Sequence, residues 1–181
     1  IYFIIIMESR EEKMKKIQEQ LHKQIEYTYR QVWCDLLHDR VKQTPPDFDW
    51  IVRLYKEIRY KLTYFLKLGS PARVEIEEGM DVELFDQMIR NGAFQGPEFV
   101  ALVNFVFDKC LMLGSPGRDK DVENFRKEVM TALQNKATFA ELVPLFFKNS
   151  NTAVDWIHED LFGVKNNIER LIREGIIPQK N

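Results

Sequence analysis

This sequence has little cysteine, no long apolar run and no large excess of one charge, and each of these features excludes a class of protein. Its two cysteines, Cys34 and Cys110, lie in amphipathic stretches without the spacing of a disulfide framework or a zinc site. We predict that both are reduced core thiols in a cytoplasmic protein. The opening apolar stretch, residues 1–6, is far shorter than the ~20 residues that a membrane-spanning helix needs, so no span is predicted.

The charged residues are balanced and finely mixed along the chain. Lysine and arginine number 26 against 28 for aspartate and glutamate, which gives a formal net charge of -2. The densest basic group, Lys13, Lys15 and Lys16, is offset by glutamates on both sides. A nucleic-acid-binding protein normally carries a basic stripe that releases counterions from phosphates, so nucleic acid is not an expected partner.

The two ends of the chain differ from the rest. Residues 1–7 are apolar and lack the basic start and the small-residue cleavage site of a secretory signal. Isoleucine, tyrosine and phenylalanine codons can consist of A and T alone, so one hypothesis is that this segment is an AT-rich leader, or disordered, and that the native start is Met7. The alternative is a short strand or tail that packs on the body. Residues 176–181 are predicted to be a tail.

Elsewhere apolar residues recur at steps of three and four, which is typical of helices, and the strict alternation of a strand is absent. Residues 8–39 carry such a stripe without glycine or proline and predict one long helix of about 30 residues. Pro45 and Pro46 then break the chain. The stripe of the long helix consists of Met14, Ile17, Leu21, Ile25, Tyr29, Val32 and Leu36.

Glycine and proline mark where the later helices stop and start. Gly69 and Gly92 close helical patterns in the manner of left-handed C-terminal caps. The stretch between Phe99 and Leu113 is the most apolar and predicts the most buried helix. We therefore predict an all-α fold, either a multi-helix bundle or a short α-solenoid-like array of about 7–8 helices with a long N-terminal helix.

Two further predictions concern single helices. Residues 81–91 predict a short helix with four apolar side chains expected to face inward, which are those of Leu84, Phe85, Met88 and Ile89. Near the end of the chain, Pro144 and the polar residues 149–151 predict a kink or a split in the last long helical pattern.

Residues that carry catalysis or bind metals are sparse. The three histidines, His22, His38 and His158, have no second histidine at the spacing of a zinc-binding helix. The sequence contains no nucleophile elbow, P-loop or dinucleotide fingerprint. We predict no enzymatic activity, no catalytic or cofactor-binding residues, no cofactor and no metal site.

One acidic stretch and one loop arginine suggest interaction or architecture. Residues 75–86 contain six carboxylates, and no basic residue lies between Arg73 and Arg90. This pattern fits either an acidic docking face or a solvated helix surface. Arg118 beside Asp119 predicts an ion pair that fixes the turn before the next helix.

Three blocks, in order, resemble the T-complex protein 11 family. Residues 45–48 read proline-proline-aspartate-phenylalanine, and residues 80–94 begin with methionine-aspartate and end with glycine-alanine-phenylalanine. Residues 113–119 stand where the family has a leucine-cysteine-alanine-proline-x-arginine-aspartate run, although Gly114 and Ser115 replace the cysteine-alanine pair. The similarity covers residues 44–135, so we predict a T-complex protein 11-like helical domain at 44–175 behind the long helix at 8–43.

This resemblance implies a helical protein that has no assigned enzymatic activity and is linked to cyclic-AMP and protein kinase A signalling and, in animals, to sperm function. We predict a scaffold that binds a protein partner within such a pathway. As an alternative, the near-heptad stripe of the first helix predicts a structural or assembly component that self-associates through residues 8–39 as a coiled-coil arm. The candidate interaction or architectural residues are Pro46, Asp47, Asp81, Gly92, Phe94, Pro116, Arg118 and Asp119.

Overall fold

The computed structural model describes residues 2–176, with side chains from Lys13 onward except those at positions 19, 23, 26, 27 and 30. These residues form seven α-helices and one short 3-10 helix, with no strand among them, so the predicted all-α fold is confirmed. Most of the predicted tail lies outside the described residues, and the leader hypothesis for residues 1–7 stays a prediction. The elements are α1 (Tyr2–Val41), α2 (Phe48–Thr63), α3 (Pro71–Gly79), α4 (Val82–Arg90), α5 (Gly96–Leu113), the 3-10 helix (Pro116–Arg118), α6 (Asp119–Gln134) and α7 (Phe139–Arg173).

Short polar side chains begin several of these helices. The Asp81 carboxylate accepts a hydrogen bond from the Leu84 amide at 2.9 Å, which satisfies one free donor in the first turn of α4. At the start of α7, the Glu141 carboxylate accepts from the amide of Thr138 at 2.7 Å and from its hydroxyl at 2.8 Å. Helices α4 and α7 therefore begin at residue types that are favoured at the N-terminus of a helix.

The core lies where α2, α5, α6 and α7 meet. Helix α7 contacts α1, α2, α5 and α6, while α2 also contacts α3 and α4. The apolar pattern of α5 is buried as predicted, with Val103, Val106 and Phe107 at 0% exposure. Other fully buried side chains come from α1, α2, α6 and α7 and include Leu37, Ile58, Val129 and Val154.

The predicted split near Pro144 is wrong, because α7 is a single helix of 35 residues, and the alternative of a kink stays a prediction. A proline within a helix has no N–H for the carbonyl four residues earlier, here that of Ala140. His38 of α1 compensates, since its Nδ1 lies 2.7 Å from the Ala140 oxygen. A donor from another helix thus replaces the missing intrahelical bond, and α7 continues.

The polar residues that follow Pro144 are also accommodated inside α7. Ser150 is fully buried, and its hydroxyl donates to the Phe146 carbonyl at 2.6 Å. Asn149 is 2% exposed, and its amide donates to the Glu128 carboxylate of α6 at 2.9 Å. Both side chains find partners within the helix or across the α6–α7 contact, so neither interrupts the helix.

Candidate interaction surfaces

The first pair of predicted site residues joins α1 to α2. Asp47 accepts hydrogen bonds from the Trp50 amide at 3.1 Å and from the Arg40 guanidinium at 2.9 Å. The hydrogen bond from Arg40, together with that from the Trp50 amide, holds the pKa of the Asp47 carboxyl below its usual range. Pro46 accepts from the Phe48 amide at 2.8 Å. Pro46 and Asp47 therefore both have hydrogen-bond partners nearby that stabilise the turn between α1 and α2.

The second group lies around α4. Asp81 caps its start, and Gly92 follows its end with a left-handed φ of +67°, a conformation that glycine adopts without strain. Phe94 then packs edge-on against Phe85 and Phe99, with ring centroids 5.2 and 6.4 Å apart. Two of the eight predicted site residues, Asp81 and Phe94, line an open groove between α3, α4 and α5.

The third group lies beside α7, apart from that groove. Pro116 and Arg118 form the 3-10 helix, and Asp119 begins α6. The predicted ion pair between Arg118 and Asp119 is wrong. The Arg118 guanidinium pairs instead with two carboxylates of α7, those of Glu159 at 3.4 Å and Asp160 at 3.5 Å. The Arg118 guanidinium carbon also lies 4.7 Å from the centre of the Trp156 ring. This loop therefore fastens the α5–α6 turn to α7.

An open groove of about 300 Å³ runs between α3, α4 and α5, and we call it the α3–α5 groove. At its floor, Tyr55 and Phe85 stack with their ring centroids 4.0 Å apart. Burial raises the pKa of the Tyr55 hydroxyl, so it stays protonated near neutral pH. Leu84 was expected to face inward but is 54% exposed, because it forms one wall of this groove. The other apolar side chains of the lining are those of Met88, Phe94, Ala101, Leu102 and Phe105.

The acidic stretch contributes to the rim of this groove, but only in part. Glu75 is paired with Lys109, Glu77 with Arg73, and Asp86 with Arg90. Among the described ion pairs, none includes the three carboxylates that line the groove, which are those of Glu78, Asp81 and Glu98. The structure therefore divides the stretch into three paired carboxylates, two carboxylates at the groove, and Glu83, which belongs to neither group.

The apolar stripe of α1 is a second exposed surface, and we call it the α1 stripe. On the inner face of the same helix, Leu37 and Val41 are buried. The side chains of the stripe are each at least half exposed, and Tyr29 also lines a cleft between α1, α2 and α7. Their exposures are Met14 60%, Ile17 58%, Leu21 57%, Ile25 58%, Tyr29 71%, Val32 52% and Leu36 50%.

A polar cleft of about 350 Å³ lies between α1, α2 and α7, with Lys61 at its centre. The Lys61 ammonium contacts Asp155 at 2.9 Å and Glu57 at 3.0 Å. Desolvation opposes the charged form, but hydrogen bonds to Asp155 and Glu57 outweigh it and raise the pKa of Lys61. Lys61 therefore stays protonated near neutral pH, which suits an ion pair better than proton abstraction.

The two thiols and His158 have structural surroundings. Burial raises the pKa of Cys110 to about 12 and also raises the pKa of Cys34, so both thiols stay protonated near neutral pH. His158 Nε2 lies 2.8 Å from the Lys61 carbonyl oxygen. Among the described side chains, no group of three histidine, cysteine or carboxylate residues could hold a metal ion. Within the same residues, no helix is both long and apolar enough to cross a bilayer.

These observations define the class of protein as an all-α bundle with exposed apolar surfaces. The chain belongs to the T-complex protein 11 family, whose sequence profile matches residues 7–158. This match is wider than the predicted span of 44–135 and includes most of α1.

Two human relatives show the same similarity over part of the chain. The T-complex protein 11 homolog is 31% identical over 104 residues, which are 57% of this chain and 20% of that protein. The T-complex protein 11-like X-linked protein 1 is 30% identical over 99 residues, which are 54% of this chain and 19% of that protein. The matched part is therefore about a fifth of the length of either relative. No solved structure matches the chain significantly.

Proposed function

We propose that this chain is a non-enzymatic helical module that binds another protein. The observation that supports it is the α1 stripe, in which seven apolar side chains are at least half exposed on one face. Met14 and Leu36 are 22 residues apart in the sequence, so the stripe is roughly 33 Å long at the rise of an α-helix. An apolar face of this length is typical of a helix that binds a partner.

The energetics of the stripe favour association. Burying one leucine or isoleucine side chain contributes about 1.5–3 kcal/mol relative to leaving it in water. Several such residues in a row could stabilise a complex even after the entropic cost of binding, which is on the order of 4–15 kcal/mol, is subtracted. The stripe therefore has enough apolar surface for specific binding.

The chemistry of the remaining groups is consistent with a binding role. Lys61 is held in ion pairs, and the raised pKa values of both cysteines keep their thiols unreactive. We further propose that the module acts in the cytoplasm and, as the family resemblance implies, in cyclic-AMP and protein kinase A signalling.

Affinity capture from the native host tests the binding function. Leu21→Glu with Ile25→Glu places two charges on the α1 stripe and should abolish capture of the partner. Lys16→Gln with Gln20→Glu is the matched control, because it changes the net charge equally on another face of the helix. Equal capture by both variants would contradict the proposal.

The proposed role in protein kinase A signalling has a separate test. It predicts that purified protein kinase A subunits bind the chain, and an absence of binding would contradict this role.

The same stripe also supports self-assembly as a second candidate function. Met14, Ile25 and Leu36 recur every 11 residues, and so do Leu21 and Val32. A spacing of 11 residues keeps apolar side chains on one face of a nearly straight helix, which suits packing along a second helix.

Light scattering distinguishes the two candidates. Self-assembly predicts an oligomer that Leu21→Glu with Ile25→Glu converts to a monomer, whereas binding of a different protein predicts a monomer in both cases. Substitution is preferable to deletion of residues 8–39, because deletion would also remove the buried Leu37 from the core.

A further inference from the structure

We infer that the α3–α5 groove receives a basic amphipathic helix of a partner protein, an inference that rests on the proposed protein-binding function. The groove has an apolar floor, since Phe85 is 6% and Leu102 is 9% exposed. Its walls present Leu84, Met88 and Phe105 to solvent. A groove of about 300 Å³ with this lining can bury apolar anchor side chains.

Gly79, at the end of α3, lies directly against the Phe105 ring in the lining of the groove. A Cβ atom on Gly79 would come within 2.3 Å of the Phe105 ring, so only glycine lets this ring lie against the α3 backbone. A larger residue would force the Phe105 ring to move. One wall of the groove is therefore an aromatic ring in close contact with a bare backbone.

The fold favours a helical ligand over an extended one. An extended peptide gains affinity by pairing its backbone with the edge of a sheet, and the described residues contain no strand to offer such an edge. A helix satisfies its own backbone hydrogen bonds and can therefore bury an apolar face against side chains alone.

The charges of the lining select a basic partner. Of its twelve residues, Glu78, Asp81 and Glu98 are acidic and none is basic. These carboxylates would attract lysine and arginine on the flanks of a docked helix and would repel nucleic acid and anionic membranes. The polar cleft around Lys61 differs, because its carboxylates are already paired with that lysine.

Binding of designed peptides to the full chain tests this inference. The probes are two fluorescein-labelled helical peptides of about 18 residues, or five turns, with the same leucine face and with either lysine or glutamate elsewhere. We expect the lysine peptide to bind about tenfold more tightly at low salt, with a preference that falls as salt rises. Fluorescence anisotropy measures both affinities.

Labelled methionine methyl groups locate the binding site by NMR. Met88 lines the groove, whereas Met14 lies on the α1 stripe and the half-exposed Met112 lies on neither surface. The lysine peptide should shift the Met88 signal and leave Met14 and Met112 unchanged. A shift of Met14 without Met88 would overturn the groove inference while supporting the proposed binding function of the stripe.

Two pairs of variants complete the test. Leu84→Lys should weaken the lysine peptide about tenfold, or about 1.4 kcal/mol, whereas Leu68→Lys, at an 80% exposed position outside the groove, should not. Glu78→Gln should weaken it more than Glu83→Gln, because Glu83 belongs to the acidic stretch but does not line the groove. Equal affinities within either pair, or tighter binding of the glutamate peptide, would refute the inference.

Discussion

Helices α1 and α2 both carry an apolar stripe at helical spacing, yet the two stripes have opposite surroundings. Ile51 and Ile58 of α2 are 1% and 0% exposed, because α2 packs against α3, α4 and α7. Ile17 and Ile25 of α1 are both 58% exposed, although the inner face of the same helix contacts α7. Spacing therefore predicts a helix and its apolar face, but whether that face is covered depends on the other helices.

The largest expected difference between the two stripes is in stability. Ile58→Ala should lower the free energy of unfolding by about 2–5 kcal/mol, because it leaves a cavity in a closely packed core. Ile25→Ala, at an exposed position, should change it by less than about 0.5 kcal/mol. Urea denaturation of both variants measures this contrast, and similar losses would mean that the α1 stripe is buried in the folded protein.

A second prediction compares the two faces within α1. His38→Ala should cost about 1–3 kcal/mol, because the Ala140 carbonyl loses the partner that replaces the missing amide of Pro144. Leu36→Ala, on the outer face, should cost much less. Urea denaturation again measures both changes in stability.

A double substitution isolates this role of His38. Pro144→Ala restores an N–H to the Ala140 carbonyl, so His38→Ala should cost less in that background than in the natural chain. Strict additivity of the two substitutions would contradict the account of how α7 stays continuous.

The smallest expected effect concerns the turn that joins the two helices. The pKa of Asp47 is lower in the folded chain than in the unfolded chain. The charged carboxylate therefore stabilises the fold at a pH above its pKa in the unfolded chain. This contribution is lost as the pH falls through its pKa in the folded chain. Asp47→Asn keeps a good helix cap but removes the ion pair with Arg40, and should cost less than about 1 kcal/mol at neutral pH. Thermal unfolding between pH 7 and strongly acidic pH should show the difference disappear, and a constant difference would contradict this cause.

Much of the fold could be predicted because helix starts and stops are local. Gly92 ends α4 in a left-handed conformation and Asp81 caps its start, and both residue types favour those positions. The continuity of α7 could not be predicted, because it depends on His38, which is 102 residues from Ala140 in the sequence. A signal of that kind is tertiary and leaves no local pattern.

The candidate surfaces were predicted less completely. Asp81 and Phe94 were selected for their motif, and the structure places both on the α3–α5 groove. Leu84 was expected to face the core because it belongs to the same apolar pattern as the adjacent Phe85. Only the arrangement of α3 and α5 makes Leu84 a wall of the groove. The pairing of Glu75 depends on Lys109, which approaches from α5, whereas Arg73 and Arg90 pair with carboxylates four residues away in their own helices.

Hydrogen exchange of the chain, alone and with its captured protein partner, tests the central claim most directly. The account predicts slower exchange of amides between Met14 and Leu36 in the complex, because a bound partner suppresses local opening of the helix whose apolar stripe it covers. Unchanged exchange across that segment in a saturated complex would contradict the claim that the exposed stripe is the binding surface.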